Sequence, residues 1–114
     1  MHPFILYFGE IGDLPTTDNH LIYRWITDRD CKILFSVVEH GEALSIHLSS
    51  DKKGLPYLEQ AVNEFCDYCF SFPKYKSIIG KINRPSIVNL AKKCGFKPVY
   101  EDKQQHVYVY ERRR

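Results

Sequence analysis

The segment most able to do chemistry is the loop at residues 49–56, which reads SSDKKGLP. It joins a stretch of alternating apolar and polar residues to a stretch with helical spacing, so it lies between a strand and a helix. Backbone amides and the positive end of a helix dipole converge at such a junction and stabilise an anion, especially a phosphate. Gly54 would let the backbone approach that anion closely, while Lys52 and Lys53 add positive charge. An ordinary turn with two solvated lysines is the alternative interpretation.

Few side chains are suited to proton transfer. His47 lies on a predicted strand and has the intrinsic pKa of a general base, although a single histidine on a strand is more often structural. Glu39 and Glu42 flank a turn, where carboxylates are usually solvated. Tyr108 and Tyr110 fall on the last predicted strand, where core or surface packing is the commoner role. The sequence therefore leaves the catalytic residues undetermined, with His47 as the candidate.

Cys66 and Cys69 form a C-x-x-C pair, a spacing found in zinc and redox sites. No second pair lies at ligand spacing, and both residues fall on the apolar side of a predicted helix. A buried free cysteine behaves as a small hydrophobic residue. We therefore predict that the chain holds no metal.

Composition limits the partners that the chain can have. Its 114 residues, of which 44% are hydrophobic, predict one domain over residues 1–114. The net charge of +2, concentrated at Arg112, Arg113 and Arg114, is too small to indicate nucleic-acid binding. No apolar run approaches the roughly 20 residues that cross a membrane. The opening MHPFILYFGE lacks the basic and small-residue features of a signal peptide, so we expect a cytoplasmic protein without a membrane partner.

Hydrophobic periodicity predicts seven strands and two main helices. Alternation is clearest in residues 43–49, and Gly80 suggests a bulge or a close backbone approach within another strand. The first helix begins at Pro56 and ends before Pro73; the second is capped by Asn83 or Ser86 and stopped by Gly95. The predicted strands span residues 4–8, 21–27, 32–39, 43–49, 77–82, 99–100 and 105–111. This order predicts an α+β domain with a largely antiparallel sheet and one parallel strand–helix–strand unit at residues 43–82.

Two motifs within residues 21–111 resemble those of the GNAT superfamily (Gcn5-related N-acetyltransferases). That family has a pyrophosphate-binding loop of the type [QR]-x-x-G-x-[GA] between a strand and a long helix. Its later helix is entered through Asn-x-x-Ser/Ala and closed by Gly-Phe. The corresponding segments here are DKKGLP at residues 51–56, NRPS at residues 83–86, and Gly95-Phe96.

The resemblance implies a GNAT-like fold that binds acetyl-CoA or CoA where the strands ending at residues 49 and 82 part. It also implies acetyl transfer to an amine acceptor, either a small molecule or a protein. Backbone groups of residues 48–55 would hold the pantetheine and pyrophosphate, and the N-x-x-S motif would reach the cofactor arm. The cofactor-binding residues so implied are Leu48, Ser50, Lys52, Lys53, Gly54, Leu55, Asn83 and Ser86.

The chain departs from the family pattern at four places. Asp51 replaces the Gln or Arg that opens the loop, and Pro56 removes an N–H donor. Ala91 stands four residues before Gly95, where many members carry the tyrosine that protonates the leaving thiolate. Residues 9–20 are too few to hold the two helices that usually shape the acceptor site.

These departures keep two further hypotheses open. One is a binding or assembly protein that has the fold without the chemistry and works as a homo-oligomer or with an assembly partner. A looser likeness to short proteins of tailed bacteriophages, some described as head-assembly proteins, points the same way. The other is a nucleic-acid-binding module that uses the terminal arginines and the Lys52–Lys53 pair.

Overall fold

In the part of the chain that the structure describes, a seven-stranded mixed sheet packs against two α-helices. The computed structural model describes residues 2–12, 14 and 19–114. The strands are β1 (Phe4–Leu6), β2 (Leu21–Trp25), β3 (Ile33–His40), β4 (Ala43–Ser50), β5 (Ser77–Ile82), β6 (Lys97–Asp102) and β7 (Val107–Arg113). The helices are α1 (Leu58–Phe70) and α2 (Pro85–Lys93), and a 3₁₀ helix (Lys52–Tyr57) precedes α1.

The strands lie side by side in the order β1-β2-β3-β4-β5-β7-β6. Every neighbouring pair is antiparallel except β4 and β5, which run parallel and are connected through α1. Parallel strands need such a crossover, because a tight turn can join only antiparallel neighbours. The predicted α+β class, with its central strand–helix–strand unit, is confirmed.

Side chains alternate between two faces of the sheet. One face, here called the helix face, carries Phe35, Ile46, Gly80 and Tyr110 and is covered by the helices. The opposite face, here called the second face, carries His47, Ile79, Lys81 and Val109.

No helix in the described part of the chain is long and apolar enough to cross a membrane.

Helix α1 packs through the apolar stripe that its sequence predicts. Phe65 stacks on Phe35 of the sheet, with ring centroids 4.3 Å apart. Cys66 and Cys69 are both buried on the same side of the helix, and burial raises the pKa of each thiol to about 12. Thiols held in the neutral form in an apolar core are poor nucleophiles and poor metal ligands. The two cysteines of the C-x-x-C pair therefore pack in the hydrophobic core.

Helix α2 ends as predicted but begins differently. Gly95 adopts a left-handed φ of +84°, and the Phe96 N–H donates to the Ala91 carbonyl at 2.9 Å, so the chain turns sharply into β6. At the start, Arg84 is the cap residue and makes no side-chain capping bond, while Pro85 occupies the first turn. The Asn83 or Ser86 cap is thus not the one that the structure shows.

The C-terminal arginines contact their own chain. Arg112 donates to Asn63 Oδ1 at 3.2 Å on α1, and Arg113 pairs with Glu111 at 2.9 Å. Arg114 donates to the backbone carbonyls of Phe72 and Tyr75, both at 2.8 Å. The three arginines that the nucleic-acid hypothesis uses as phosphate contacts therefore bond to groups of their own chain.

Candidate active site

The parallel strands β4 and β5 separate partway along their length. Their ladder begins at Ala43 with Ser77 and ends at Ile46 with Gly80. Beyond that pair, residues 47–50 of β4 and 81–82 of β5 continue without pairing to each other. The sheet therefore has a gap between two central strands, at their carboxyl ends.

A cavity of about 640 Å³ occupies this gap and reaches both faces of the sheet. On the helix face its walls are mainly apolar: Leu48, Leu58, Val62, Leu90, Ala91 and Phe96. On the second face they are polar: His47, Ser49 and Lys81, with Gln105 and His106 from the β6–β7 turn. The cavity thus combines an apolar wall with a polar opening, the usual character of a ligand site.

The strand register directs the Leu48 amide into the gap. Along β4 successive residues turn their N–H and C=O groups alternately towards β3 and β5. Asp51 N–H donates to the Lys32 carbonyl on the β3 side at 3.1 Å, whereas the Glu42 carbonyl accepts from Lys76 on the β5 side at 2.7 Å. Even-numbered residues therefore face β5, and Leu48 lies two positions beyond the last paired residue, Ile46. A backbone donor aimed into a partly apolar cavity is suited to stabilise a developing oxyanion.

Gly80 keeps the floor of the cavity open. It lies opposite both Ile46 and Tyr110 on the helix face and lines the cavity. A Cβ built there would meet no atom within 4 Å, and its φ lies outside the left-handed region. The sheet is regular here and no atom approaches the Cβ position, so neither the bulge nor the close backbone approach suggested for Gly80 is observed. The register instead shifts between Pro98 and Tyr100 in β6.

The loop before α1 is self-capped. The Gly54 N–H donates to Asp51 Oδ1 at 2.9 Å and to the Asp51 carbonyl at 3.1 Å, which caps the 3₁₀ helix. A Cβ on Gly54 would lie 2.3 Å from Ser50 Oγ and 2.8 Å from Ile33 Cγ1. Gly54 is therefore needed for close packing within the protein, and its amide already has a partner.

The structure separates the eight residues that the sequence motifs group as cofactor-binding. Leu48, Ser50, Leu55 and Asn83 line the cavity, whereas Lys52, Lys53, Gly54 and Ser86 do not. Lys53 instead pairs with Asp30 at 2.7 Å, and both side chains are exposed. Lys52 and Ser86 are exposed and follow the ends of β4 and β5 in sequence. The predicted residues that do line the cavity thus come from the ends of β4 and β5 and from one position of the 3₁₀ helix.

His47 is half-buried at the point where the strands begin to separate. Burial lowers the pKa of its imidazole, and the positive charges of His20 and Lys81 lower it further. The ring is therefore neutral at pH 7 and has a nitrogen that accepts a proton.

The alternative acids do not face the cavity. Tyr110 is fully buried, and its hydroxyl donates to Glu101 Oε1 at 2.5 Å, a bond that raises the pKa of Tyr110 to about 12. Tyr108 is buried in the same core. Glu39 accepts a hydrogen bond from Tyr75 at 2.5 Å at the far end of β3. On the cavity wall itself, Ala91, four residues before Gly95, has no ionisable group.

Lys81 and His106 are among the site residues that the sequence analysis did not identify. Lys81 is the single charged residue in the strand SIIGKI, which was a usable signal for a polar environment on one side of β5. His106 has a left-handed φ of +55° at the β6–β7 turn, a conformation that its sequence did not indicate. Both were missed because their position depends on the gap between β4 and β5.

No protein-family model and no curated protein matches the chain. Solved structures do match. A chimera of the spermidine N-acetyltransferase SpeG from Vibrio cholerae and hSSAT has a TM-score of 0.67 and 13% identity, over 84% of this chain and 68% of the other. AAC(6')-Ib in complex with ribostamycin and coenzyme A gives 0.69 and 12%, over 85% and 65%. The N-acetyltransferase PseH of Campylobacter jejuni, in complex with acetyl coenzyme A, gives 0.71 and 15%, over 86% and 70%.

The chain thus spans 65% to 70% of the length of these three proteins. All three are GNAT acetyltransferases. At 12% to 15% identity, the likeness establishes the course of the backbone. The strand order, the crossover through α1 and the gap between two parallel strands agree with it. The chain therefore has the GNAT fold, as its loop and N-x-x-S…GF motifs predict.

Proposed function

We propose that the protein is an N-acetyltransferase that transfers the acetyl group of acetyl-CoA to an amine. The observation that carries the proposal is the cavity between β4 and β5, with the Leu48 amide directed into it. The structural neighbours support the choice of donor, since AAC(6')-Ib and PseH are described in complex with coenzyme A and acetyl coenzyme A.

The residues at the gap suit an acyl-CoA. The open space above Gly80 would take a narrow chain between the strands, and Leu48 would contact its apolar parts. Ser50, Leu55 and Asn83 line the cavity where polar groups of the pantetheine would lie. The self-capped loop is less favourable for the pyrophosphate, because the Asp51 carboxylate already accepts from the Gly54 amide. We therefore expect the thioester arm to contribute more to binding than the phosphates.

Bound acetyl-CoA would supply an acetyl group activated as a thioester. The acceptor nitrogen, as a neutral amine, attacks the acetyl carbon and forms the C–N bond. The Leu48 N–H donates to the oxygen that becomes negative in this step. As the C–S bond breaks, its electron pair goes to sulfur, so the products are an amide and a thiolate.

His47 takes the proton that the nitrogen must lose. The lowered pKa of its imidazole keeps it neutral at pH 7, and it lines the cavity. At Ala91 the wall offers no acid for the leaving thiolate. Thiols ionise with a pKa of about 8.5, so the thiolate can be protonated by water near neutral pH.

Calorimetric titration with acetyl-CoA tests the binding step. We expect a dissociation constant of about 1–100 µM, within the range usual for enzyme substrates. Release of free thiol, measured with a chromogenic thiol reagent in the presence of amines, tests turnover. Absence of binding heat at millimolar acetyl-CoA would overturn the proposal and leave the binding or assembly hypothesis.

Substitution of His47 separates binding from catalysis. His47→Gln should bind acetyl-CoA as the wild type does and lose about 100-fold or more in turnover, the usual contribution of a general base. His40→Gln is the matched control, since His40 is exposed at the opposite end of the β3–β4 hairpin. Equal turnover in the two variants would remove His47 from the mechanism.

A further inference from the structure

The described residues that line the cavity include cationic side chains but no carboxylate. Lys81 and Arg84 are positively charged, the imidazoles of His47 and His106 also lie there, and none of the lining residues in the described part of the chain is Asp or Glu. A cavity that receives a polycationic amine needs carboxylates, because opposite charges must offset the cost of removing ammonium groups from water. The described lining instead has cationic side chains and no carboxylate.

Lys81 lies at the centre of this basic wall, beside the neutral imidazole of His47. The last ladder pair is Ile46 with Gly80, so the next residue on each strand is His47 and Lys81. They therefore flank the apex of the gap from its two sides, with both side chains on the second face. The 3₁₀ helix and α1 pack on the helix face. The positive charge thus borders the side of the cavity away from the loop assigned to the cofactor.

Nearby carboxylates do not neutralise this wall. On β7, Glu111 pairs with Arg113 at 2.9 Å. On β6, Asp102 accepts from the backbone amides of Gln104 and Gln105 at 3.1 and 3.2 Å and so holds the turn. Within residues 2–12, 14 and 19–114, Lys81 forms no ion pair. Among these described residues, no carboxylate pairs with its ammonium.

We propose that the acceptor is a small amine that also carries an anionic group, a phosphate or a carboxylate, which Lys81 binds. This inference rests on the proposed acetyl transfer and specifies its substrate class. The ammonium of Lys81 attracts the anion, and the cationic surroundings favour the neutral form of the acceptor amine, which is the form that attacks. Polyamines, by contrast, are repelled from the same wall.

Matched amines that differ only in an anionic group test the inference. Glucosamine 6-phosphate is compared with glucosamine, and β-alanine with propylamine, so that one pair tests a phosphate and the other a carboxylate. We expect kcat/KM to be at least about tenfold higher for the anionic member of one pair, and spermidine to be a poor substrate. The preference should decrease as salt is added, since screening weakens attraction between charges.

Charge reversal assigns the effect to a residue. Lys81→Glu should abolish or invert the preference for the anionic member, while Lys81→Arg should retain it. Lys97→Glu makes the same charge change on the exposed edge strand β6, away from the cavity lining, and should leave the preference intact. A preference that is equal in Lys81→Glu and Lys97→Glu would overturn the assignment to Lys81.

The outcomes distinguish the two levels of the proposal. If acetyl-CoA binds and thiol is released at equal rates with anionic and neutral amines, or faster with spermidine, the substrate class is wrong and the acetyltransferase stands. If acetyl-CoA does not bind, the acetyltransferase is wrong and this inference falls with it.

Discussion

Gly80 is the position at which stability and ligand binding should change in opposite directions. It is an interior strand residue whose φ lies outside the left-handed region, and space is open where its Cβ would be. Valine at this position has high strand propensity and would project its two methyl groups into the cavity between Ile46 and Tyr110. We therefore choose Gly80→Val as the perturbation.

The two effects have different magnitudes. Glycine within a strand costs about 0.5–1 kcal/mol relative to alanine, because it loses more conformational freedom on folding. At about 4–8 °C per kcal/mol for a small domain, replacing it should raise the melting temperature by about 2–8 °C. Forcing extra methyl groups into space that a ligand needs costs about 1–3 kcal/mol. The dissociation constant for acetyl-CoA should therefore rise about 5- to 150-fold.

Thermal melting without ligand and calorimetric titration with acetyl-CoA measure the two effects separately. Ser77→Val is the control, because Ser77 is in the same strand but does not line the cavity. It should change the melting temperature slightly and leave the affinity unaltered. A lower melting temperature for Gly80→Val would show that the cavity floor is not open. An unchanged affinity would show that acetyl-CoA does not bind in the gap.

Further variants test the loop, the base and the core. Gly54→Ala should lower the melting temperature, at a cost of about 1–3 kcal/mol for overpacking against Ile33. Asp51→Asn keeps an acceptor for the Gly54 amide and removes a negative charge; titration should show CoA binding about 3- to 10-fold tighter, the effect falling in high salt. Because burial lowers the pKa of His47, kcat/KM expressed on the concentration of neutral amine should already be level at pH 7 and should decline only below the ordinary value of about 6.5, as the imidazole gains a proton; His47→Gln should lose this limb of the pH profile. Tyr110→Phe removes a bond to Glu101 and should cost about 1 kcal/mol in chemical denaturation without changing acetyl-CoA affinity.

The elements that the sequence predicts well are those with a strong local pattern. The strand at residues 77–82 is observed with those bounds, and β4 extends one residue beyond its prediction. Gly95 stops α2 because its left-handed φ suits glycine, a requirement visible in one residue. The α1 prediction begins too early, since Pro56 lies within the 3₁₀ helix that precedes α1. A single turn of either helix places Pro in a similar conformation, so the sequence does not distinguish them.

The site is harder to predict because its residues acquire their roles from neighbours far away in sequence. Lys53 reads as a phosphate-binding residue until the structure pairs it with Asp30. Gly54 reads as the centre of an anion cradle until its packing against Ile33 is known. Gly80 reads as a bulge or a close backbone approach, although its role is to leave space beside Ile46 and Tyr110. In each case the deciding contact is a tertiary one.

The features that the fold retains at the gap belong to the backbone, whereas those that depart from the family pattern are side chains. The separation of β4 and β5, the direction of the Leu48 amide and the open floor at Gly80 need no particular functional side chain. Replacing Gly80 and closing the gap would each stabilise a protein that only had to fold or assemble, by burying more apolar surface and pairing more backbone groups. An unfilled gap of about 640 Å³, floored by a glycine that no turn or contact requires, is therefore explained best by a ligand that must enter it. That reasoning favours the acetyltransferase over an assembly role, and it applies even though Ala91 offers no acid.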